Sequence, residues 1–224
     1  MRPPLCPNPT MRGRLLREKS PSGAPIVGPF YSREEIHNGA LKRKGLELVW
    51  VDPIDGFFLQ IQGSGTVELP NKTQMRVGYS DQNGHVYEAI GKFVKDAIPI
   101  EKITLHSLEE YLRSLPPDQA RAILNKNPSY IFFKKLDGAP MTNTNSPVTP
   151  GRTIATDAQY FPKGTLGFLE FEKPAFDSNT AKEPKEWNVT GRFVLDQDSG
   201  GAIRGPGRAD LFWGSGVEAK QAAG

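Results

Sequence analysis

Residues 193–216, FVLDQDSGGAIRGPGRADLFWGSG, place two aspartates, Asp198 and Asp210, on either side of a glycine-rich turn. The apolar run before Asp198 and the one after Asp210 are typical of β-strands. Glycines between them allow positive φ values and the close approach of a bulky ligand. Because no helical pattern follows these glycines, the segment does not have the form of a phosphate-binding loop. It indicates a carboxylate site on a mainly β fold.

Two aromatic residues, Phe212 and Trp213, follow Asp210 closely. A carboxyl group against an apolar surface has a raised pKa and can act as a general acid at neutral pH. We expect these two rings to provide such a surface for Asp210. Trp213 could equally stack on a sugar. The alternative interpretation is that the glycines only form turns and that both aspartates cap them. From these residues alone both interpretations stay open.

A third aspartate, Asp157, lies upstream in residues 153–171, TIATDAQYFPKGTLGFLEF. It follows an alternating strand and precedes a turn and a further strand. Asp157 with PKGT, Asp198 with SGGAIRG and Asp210 with LFWGSG together resemble the membrane-bound lytic transglycosylase A family, whose C-terminal part carries a motif named for three aspartates. The resemblance extends over residues 25–224 and includes FYSREEI (30–36), VDPIDGFFLQIQGSG (51–65), VGYSDQNGHVYEAIG (77–91) and NPSYIFFK (127–134).

The resemblance implies a fold of two β domains. We expect residues 147–224 to form part of a double-psi β-barrel, the 3D domain, and residues 25–146 to form a second small β-barrel domain with a helical insert. A groove between the two would bind the glycan strand. Residues 1–24 lack periodicity and are rich in Arg, Pro and Ser, so we predict a disordered or unrelated leader. Family members have a longer region ahead of FYSREEI and continue further, so the chain has the pattern of a truncated member.

The resemblance also implies a reaction. The family cleaves the β-1,4 bond between N-acetylmuramic acid and N-acetylglucosamine in peptidoglycan without water, as an exo-acting carbon–oxygen lyase, and leaves a 1,6-anhydromuramoyl end. An ordinary glycosidase needs two carboxylates. Here the C6 hydroxyl of the sugar is the nucleophile, and its effective molarity can reach about 10⁵ M or more. A single carboxyl can therefore protonate the leaving oxygen and then accept the C6 proton.

By this resemblance Asp210 is the catalytic acid and base, and Asp198 supports it. We expect Asp157 to have a structural role rather than a direct one. Gln60 and Gln62 would lie on the polar face of a strand over residues 57–62, where they either bind acetamido and hydroxyl groups or face solvent. The substrate-binding candidates are Asp157, Gln60, Gln62, Ser64, Tyr31 and Trp213.

Local patterns predict the remaining elements. A capping box at Ser32 and Glu35 predicts a short helix that ends near Gly45, and Ser107 is expected to cap a second helix. The other expectations are strands at 46–52, 75–79 and 130–134, helices at 86–95 and 117–125, a tight turn at 81–84 and a linker at 139–151.

Composition excludes several functions. A net charge of +3 is too small to indicate nucleic-acid binding. The three histidines are isolated and Cys6 is the single cysteine, so neither a zinc site nor an internal disulfide is expected. GSGT at 63–66 does not precede a predicted helix, which argues against a nucleotide site. We therefore expect no cofactor, metal or nucleotide.

The expected location is the periplasm at the outer membrane, because the family consists typically of exported lipoproteins. No apolar run precedes Cys6, so no secretory signal or lipid-attachment site is visible. The expected partners are peptidoglycan glycan strands and proteins of cell-wall synthesis or division, and we expect a monomer. An alternative function is a polysaccharide-binding module without catalytic activity.

Overall fold

The computed structural model describes residues 14–19, 21–23, 25–138, 140–179, 181, 183–201 and 203–223. The chain divides into two compact units at the boundary between Asp137 and Gly138. Each unit contains a sheet of its own, and most of the regular structure is strand. The mainly β class predicted from the sequence is confirmed.

The first unit begins with a two-stranded antiparallel ribbon of β1 (Arg14–Lys19) and β2 (Pro25–Gly28). The prediction of a leader without structure is therefore wrong for residues 14–19, whereas residues 1–13, including Cys6, lie outside the described part of the chain. The helices and strands that follow are α1 (Arg33–His37), α2 (Pro53–Gln62), β3 (Ser64–Glu68), β4 (Gln74–Gln82), α3 (Leu105–Ser114), α4 (Pro117–Leu124) and β5 (Ile131–Leu136).

Strands β3, β4 and β5 form an antiparallel sheet with β4 in the centre. The three longer helices bury their apolar faces in one core, and a 3₁₀ turn at Ile90–Phe93 packs with them. Burial of these side chains away from water is the main source of stability for the unit. The core residues are Ile54, Phe57, Phe58, Ile90, Val94, Leu108, Leu112, Ala120 and Leu124.

The largest correction to the sequence predictions concerns α2. Residues 57–62 were predicted as a strand, but they are helical, and residues 46–52 form no strand. The Asp52 carboxylate accepts hydrogen bonds from the backbone N–H groups of Ile54 (3.0 Å) and Asp55 (3.1 Å), and Pro53 occupies the first turn. Gly63 ends the helix with a φ of 76°, which a glycine adopts without strain.

The other local predictions had mixed outcomes. The capping box of Ser32 and Glu35 is present, but α1 ends at His37 rather than near residue 45. Thr104, not Ser107, caps α3, and residues 86–95 contain only the 3₁₀ turn instead of a helix. At 81–84, β4 continues to Gln82 and Asn83 is buried, so no hairpin turn forms. The elements confirmed are β4, β5 and α4.

The second unit is built on a four-stranded sheet. Its strands are β6 (Thr153–Ala155), β7 (Leu166–Ala175), β8 (Glu186–Asp198) and β9 (Asp210–Leu211), in the order β7-β8-β6-β9, and α5 (Val217–Ala223) follows. β6 runs parallel to β8 and antiparallel to β9, whereas β7 and β8 form a long antiparallel hairpin. The buried apolar residues of this unit are Ile154, Val194 and Ile203.

Candidate active site

The three predicted aspartates lie at one end of the four-stranded sheet. Since β6 and β8 are parallel, their carboxyl ends meet at the same edge, and the antiparallel β9 begins there. Ala155 of β6 pairs with Asp198 on one side and with Asp210 on the other, and Asp157 follows two residues later. Neighbouring strands are about 4.8 Å apart, so the backbones at Asp198 and Asp210 are separated by about 10 Å.

Asp210 is bound by an arginine. Both of its carboxylate oxygens accept hydrogen bonds from Arg208, from Nε at 2.8 Å and from the guanidinium Nη2 at 2.9 Å, and the Asp210 side chain is 45% exposed. Trp213 instead packs edge-to-face on Phe171, with the ring centres 5.9 Å apart, and Lys173 lies over its indole ring at 6.0 Å. The closest partner of the carboxylate is therefore the guanidinium and not the expected aromatic surface.

Asp198, the last residue of β8, is half-buried. Its Oδ1 accepts a hydrogen bond from the backbone N–H of Asn143 at 3.1 Å, and the Asn143 amide donates to Ser199 at 3.0 Å. The turn that carries Asn143 is closed by Thr142, whose backbone N–H donates to the carbonyl of Ser146 at 2.8 Å. The orientation of Asp198 therefore depends on this turn.

Asp157 is buried and serves as an acceptor for two backbone groups. Its Oδ2 accepts from the N–H of Gly205 at 2.9 Å and its Oδ1 from the N–H of Gln159 at 3.1 Å. These bonds, first that from Gly205, hold the pKa of the Asp157 carboxyl below its usual value because they favour the charged form. Gly205 has a φ of +81°, so the loop that follows β8 turns sharply at the point where Asp157 fastens it.

Sequence reasoning missed a buried charged cluster next to these residues. Lys163 Nζ lies 2.8 Å from Asp196 Oδ1, and Thr156 Oγ1 donates to Asp196 Oδ2 at 2.6 Å. The side chain of Asp196 is 4% exposed and that of Lys163 15%. The sequence did contain a signal for this cluster: Asp196 stands at an inward-facing position of an apolar strand, and a buried aspartate needs a cation or several hydrogen-bond donors. The sequence does not show which lysine supplies it.

Arg208 was also missed. It pairs with Asp210 and at the same time lines a cleft of about 440 Å³ in the second unit. Two aromatic rings and the buried carboxylate of Asp196 share this cleft. Its lining consists of Ile154, Thr156, Phe161, Thr165, Gly167, Phe168, Leu169, Val194, Asp196, Pro206, Gly207, Arg208 and Ala209.

Four of the predicted substrate-binding residues lie in the first unit. Gln60 is on α2, and its Oε1 accepts a hydrogen bond from Arg33 at 2.7 Å, so the polar strand face predicted for Gln60 and Gln62 does not exist. Gln62 is the exposed last residue of α2, and the half-buried Ser64 begins β3. Tyr31 packs edge-to-face on Phe30 with the ring centres 5.0 Å apart. Binding of substrate by these four residues stays a prediction.

Arg33 explains why Gln60 is turned inward. The guanidinium is buried, and it donates to the carbonyls of Asn127 (3.0 Å) and Ser129 (2.6 Å) as well as to Gln60. It also lies over the ring of Phe57, 4.6 Å from the centre. Burial lowers the pKa of Arg33 to about 10. Arg33 is therefore the polar centre of the first unit, and we assign it a structural role.

Comparison with known families agrees with this division of the chain. A family model described as the MltA specific insert domain matches residues 9–134, and one described as the 3D domain matches residues 152–224. The chain belongs to the MltA family. The match begins at residue 9, so the MltA insert domain includes part of the segment that we predicted to be an unrelated leader.

The membrane-bound lytic murein transglycosylase A of Escherichia coli strain K12 is 31% identical to this MltA-family chain over 204 residues, which is 89% of this chain and 54% of the relative. The protein of the same name from Vibrio cholerae is 30% identical over 86% of this chain and 52% of its own length. The chain thus spans about half the length of the curated relatives it matches.

Solved MltA structures are similar in fold. MltA from Neisseria gonorrhoeae has a TM-score of 0.72 at 30% identity, over 95% of this chain and 52% of that one. The membrane-bound lytic murein transglycosylase from Agrobacterium tumefaciens has a TM-score of 0.78 at 29% identity, over 100% and 59%. E. coli MltA with bound chitohexaose has a TM-score of 0.74 at 27% identity, over 87% and 61%. In the described part of this chain, no helix is long and apolar enough to cross a bilayer.

Proposed function

We propose that this chain is a peptidoglycan lytic transglycosylase. The observation that carries the proposal is the convergence of Asp157, Asp198 and Asp210 at one sheet edge, with Asp198 and Asp210 on either side of Ala155. Membership of the MltA family supports it, since the named relatives are lytic murein transglycosylases and one MltA was solved with chitohexaose, a hexasaccharide. The substrate is then the β-1,4 bond between N-acetylmuramic acid and N-acetylglucosamine, and the product carries a 1,6-anhydromuramoyl end.

In the proposed reaction Asp210 acts twice. It first gives its proton to the glycosidic oxygen while the bond from C1 to that oxygen breaks. The resulting carboxylate then accepts the proton of the C6 hydroxyl as the C6 oxygen bonds to C1. No water is consumed, and the carboxyl ends in its starting protonation state. The exposed position of Asp210 at the start of β9 leaves it accessible to a sugar.

Arg208 has a defined part in this cycle. Its two hydrogen bonds take one acceptor position on each oxygen of the Asp210 carboxylate, and one of them opens in this proposal when the carboxyl carries and donates its proton. An exposed ion pair contributes no more than about 1 kcal/mol, so a bound sugar can open it at small cost. Arg208 also lines the cleft next to the sheet, where it can bond a hydroxyl or acetamido oxygen after it has moved.

Asp198 is proposed to stabilise the positive charge that develops on the sugar ring at C1. A fixed carboxylate provides this stabilisation without rearrangement during the reaction, and the hydrogen bond from Asn143 keeps Asp198 in one orientation. Asp157 does not act on the sugar in this proposal. It anchors the loop that leads from β8 to Asp210 through its bond from Gly205.

We also infer the finer architecture and location from family membership. The four-stranded sheet would be part of a double-psi β-barrel, and the three-stranded sheet part of a second barrel. The names of the relatives call those proteins membrane-bound, and we propose the periplasmic side of the outer membrane as the place of action for this chain.

Digestion of purified sacculi in ¹⁸O-labelled water tests the proposal. The expected products are soluble fragments with unlabelled anhydromuramoyl ends, detected by mass spectrometry as one water lighter than hydrolysis products. Reducing ends that carry ¹⁸O would instead identify a hydrolase with a second catalytic carboxylate. Sedimentation of the chain with sacculi in the absence of soluble products would identify a binding module and overturn the proposed activity.

A further inference from the structure

The side chains of Lys163, Asp196 and Thr156 form a cluster in which each is hydrogen-bonded to the other two. Besides its contact with Asp196 Oδ1 at 2.8 Å, Lys163 Nζ donates to the carbonyl of Thr156 at 3.0 Å and to Thr156 Oγ1 at 2.9 Å. The hydroxyl of Thr156 in turn donates to Asp196 Oδ2. An ammonium group has three N–H donors, so all three are used within the cluster. The cluster therefore needs no ligand to satisfy it.

The cluster joins β6 and β8 where their pairing changes register. Ile154 pairs with Asp196, but the next residue, Ala155, pairs with Asp198, so Gln197 is an extra residue on β8. Such bulges alter the direction of side chains and are frequent beside active sites. Thr156 directly precedes Asp157, and Asp196 comes two residues before Asp198. The contacts of the cluster therefore lie within two residues of Asp157, which follows β6, and of Asp198, which ends β8.

The backbone adds to this connection. The N–H of Gly164 donates to the carbonyl of Asp196 at 2.6 Å, and the N–H of Asp196 donates to the carbonyl of Thr165 at 3.0 Å. The turn that carries Lys163 is therefore held on β8 by main-chain bonds without the help of its ammonium group. The ion pair is not needed to bring the turn to the sheet.

The burial of the ion pair is also weak evidence for a stabilising role. Replacing a buried ion pair by well-packed apolar side chains is often neutral or stabilising, because the charges no longer have to be desolvated. The ion pair contributes to geometry: Lys163 bonds both the carbonyl of Thr156 and the carboxylate of Asp196, and so fixes the distance between these two groups.

We propose that Lys163 and Asp196 are positioning residues of the glycan-cleaving site. By holding β6 and β8 together at the bulge, they set the positions at which Asp157 and Asp198 leave the sheet. Through Asp157 and its bond from Gly205, they also set the path of the loop that leads to Asp210. This inference rests on the proposed function for its effect on catalysis, but its effect on the loop is independent of activity.

A triple variant of the full chain, Thr156→Val with Lys163→Met and Asp196→Ala, tests the proposal without leaving an unpaired charge. The matched control is Lys185→Met with Asp177→Ala. It removes an exposed ion pair of the same unit, in which Lys185 Nζ lies 2.9 Å from Asp177 Oδ1 in the connection that leads from β7 to β8. Both are compared with the parent by thermal melting, by kcat and KM on sacculus glycan, and by hydrogen exchange of the Gly205 and Gln159 amides, which bond Asp157.

We expect the triple variant to fold and its kcat to fall by about tenfold or more, because small displacements of catalytic groups have effects of this size. KM should change less than kcat, because Arg208, the residue proposed to contact the sugar in the cleft, is retained. Exchange at Gly205 should become faster, and the control should match the parent in every measurement. Unchanged kcat and unchanged exchange at Gly205 would overturn the proposal.

The single variant Lys163→Arg decides the question if the triple variant does not fold. It keeps the positive charge beside Asp196, but a planar guanidinium cannot reproduce the three compact bonds of an ammonium. The same fall in kcat and the same faster exchange are expected, and parent values for both would overturn the proposal. If the parent itself cleaves no glycan, the proposed function fails, whereas exchange at Gly205 still tests the positioning of the loop.

Discussion

Asp198 of β8 and Asp210 of β9 lie on opposite sides of Ala155 of β6. Their backbones are therefore about 10 Å apart across a strand that carries no charge at this position, and each carboxylate has a different partner. Asp210 is bound by the side chain of Arg208, and Asp198 by the backbone of Asn143. Two acids in such different surroundings can have different functions, and single substitutions distinguish these functions.

Asp210→Asn should abolish glycan cleavage and leave sacculus binding intact. The amide has the shape of the carboxyl but cannot donate a proton and take it back, so we expect a fall in rate of at least about 100-fold. Only one exposed ion pair is weakened, so the melting temperature should hardly change. Release of soluble fragments and co-sedimentation with sacculi measure the two effects, with Asp177→Asn as the control. Activity within threefold of the parent would exclude Asp210 as the acid.

Asp198→Asn should lower the rate less than Asp210→Asn does. The amide oxygen can still accept the hydrogen bond from Asn143, so the fold and the orientation of the side chain are kept. Only the negative charge next to the developing positive charge at C1 is lost. The same cleavage assay, run with both variants side by side, gives the order. If Asp198→Asn is the more damaging change, the functions of the two aspartates must be exchanged.

Asp157→Asn should reduce stability in a pH-dependent way. The pKa of Asp157 is lowered in the folded chain, chiefly by the N–H of Gly205, so the folded state binds fewer protons than the unfolded state. The stabilisation is complete above the unfolded pKa of about 3.9 and is lost as the pH falls through the lower folded value. The melting temperature of the variant should be below that of the parent at pH 7, and the difference should shrink as the pH falls below the unfolded pKa of about 3.9. A difference that does not shrink on acidification would contradict this account.

Arg33→Met should destabilise the first unit. It removes the donors for the carbonyls of Asn127 and Ser129 and for the side chain of Gln60, and buried acceptors without donors are costly. We expect a loss of at least about 2 kcal/mol in the free energy of unfolding, measured by urea titration. Arg121→Met on the exposed side of α4 is the control and should change it by less than about 0.5 kcal/mol. Equal effects of the two variants would show that Arg33 is not the polar centre of this unit.

The error at α2 shows what a single pattern can hide. In residues 57–62 apolar and polar residues alternate as in a strand, but Ile54, Phe57 and Phe58 also have helical spacing and are buried together. Asp52 followed by Pro53 is a helix-start signal, and Gly63 is a helix-end signal. Since the sequence contained both signals, the boundaries could have decided between the two patterns. Six residues are too few for an alternating pattern to be distinguished from the spacing of a buried helix.

The site was predictable in outline and not in detail. Asp157, Asp198 and Asp210 each come at an end of an apolar run, but their convergence depends on how β6 pairs with β8 and β9, so it was implied by the family resemblance and not by local patterns alone. Lys163 and Asp196 are 33 residues apart, and their contact depends on the pairing of β7 with β8. No local pattern encodes such a contact. The same holds for the turn at Asn143, which is 55 residues from Asp198.

The surplus residue of β8, Gln197, makes the length of this strand as critical as the aspartates themselves. Gln197 is held by Thr153, which donates to its Oε1 at 3.0 Å, and by its own donation to Ser146 at 2.9 Å. A bulge bends its strand and changes the direction of the side chains beside it. A deletion of Gln197 would keep all three aspartates in the sequence and still remove the bulge from which Asp198 leaves the sheet. Over evolutionary time the spacing from Val194 to Asp198 should therefore tolerate substitutions but neither insertions nor deletions.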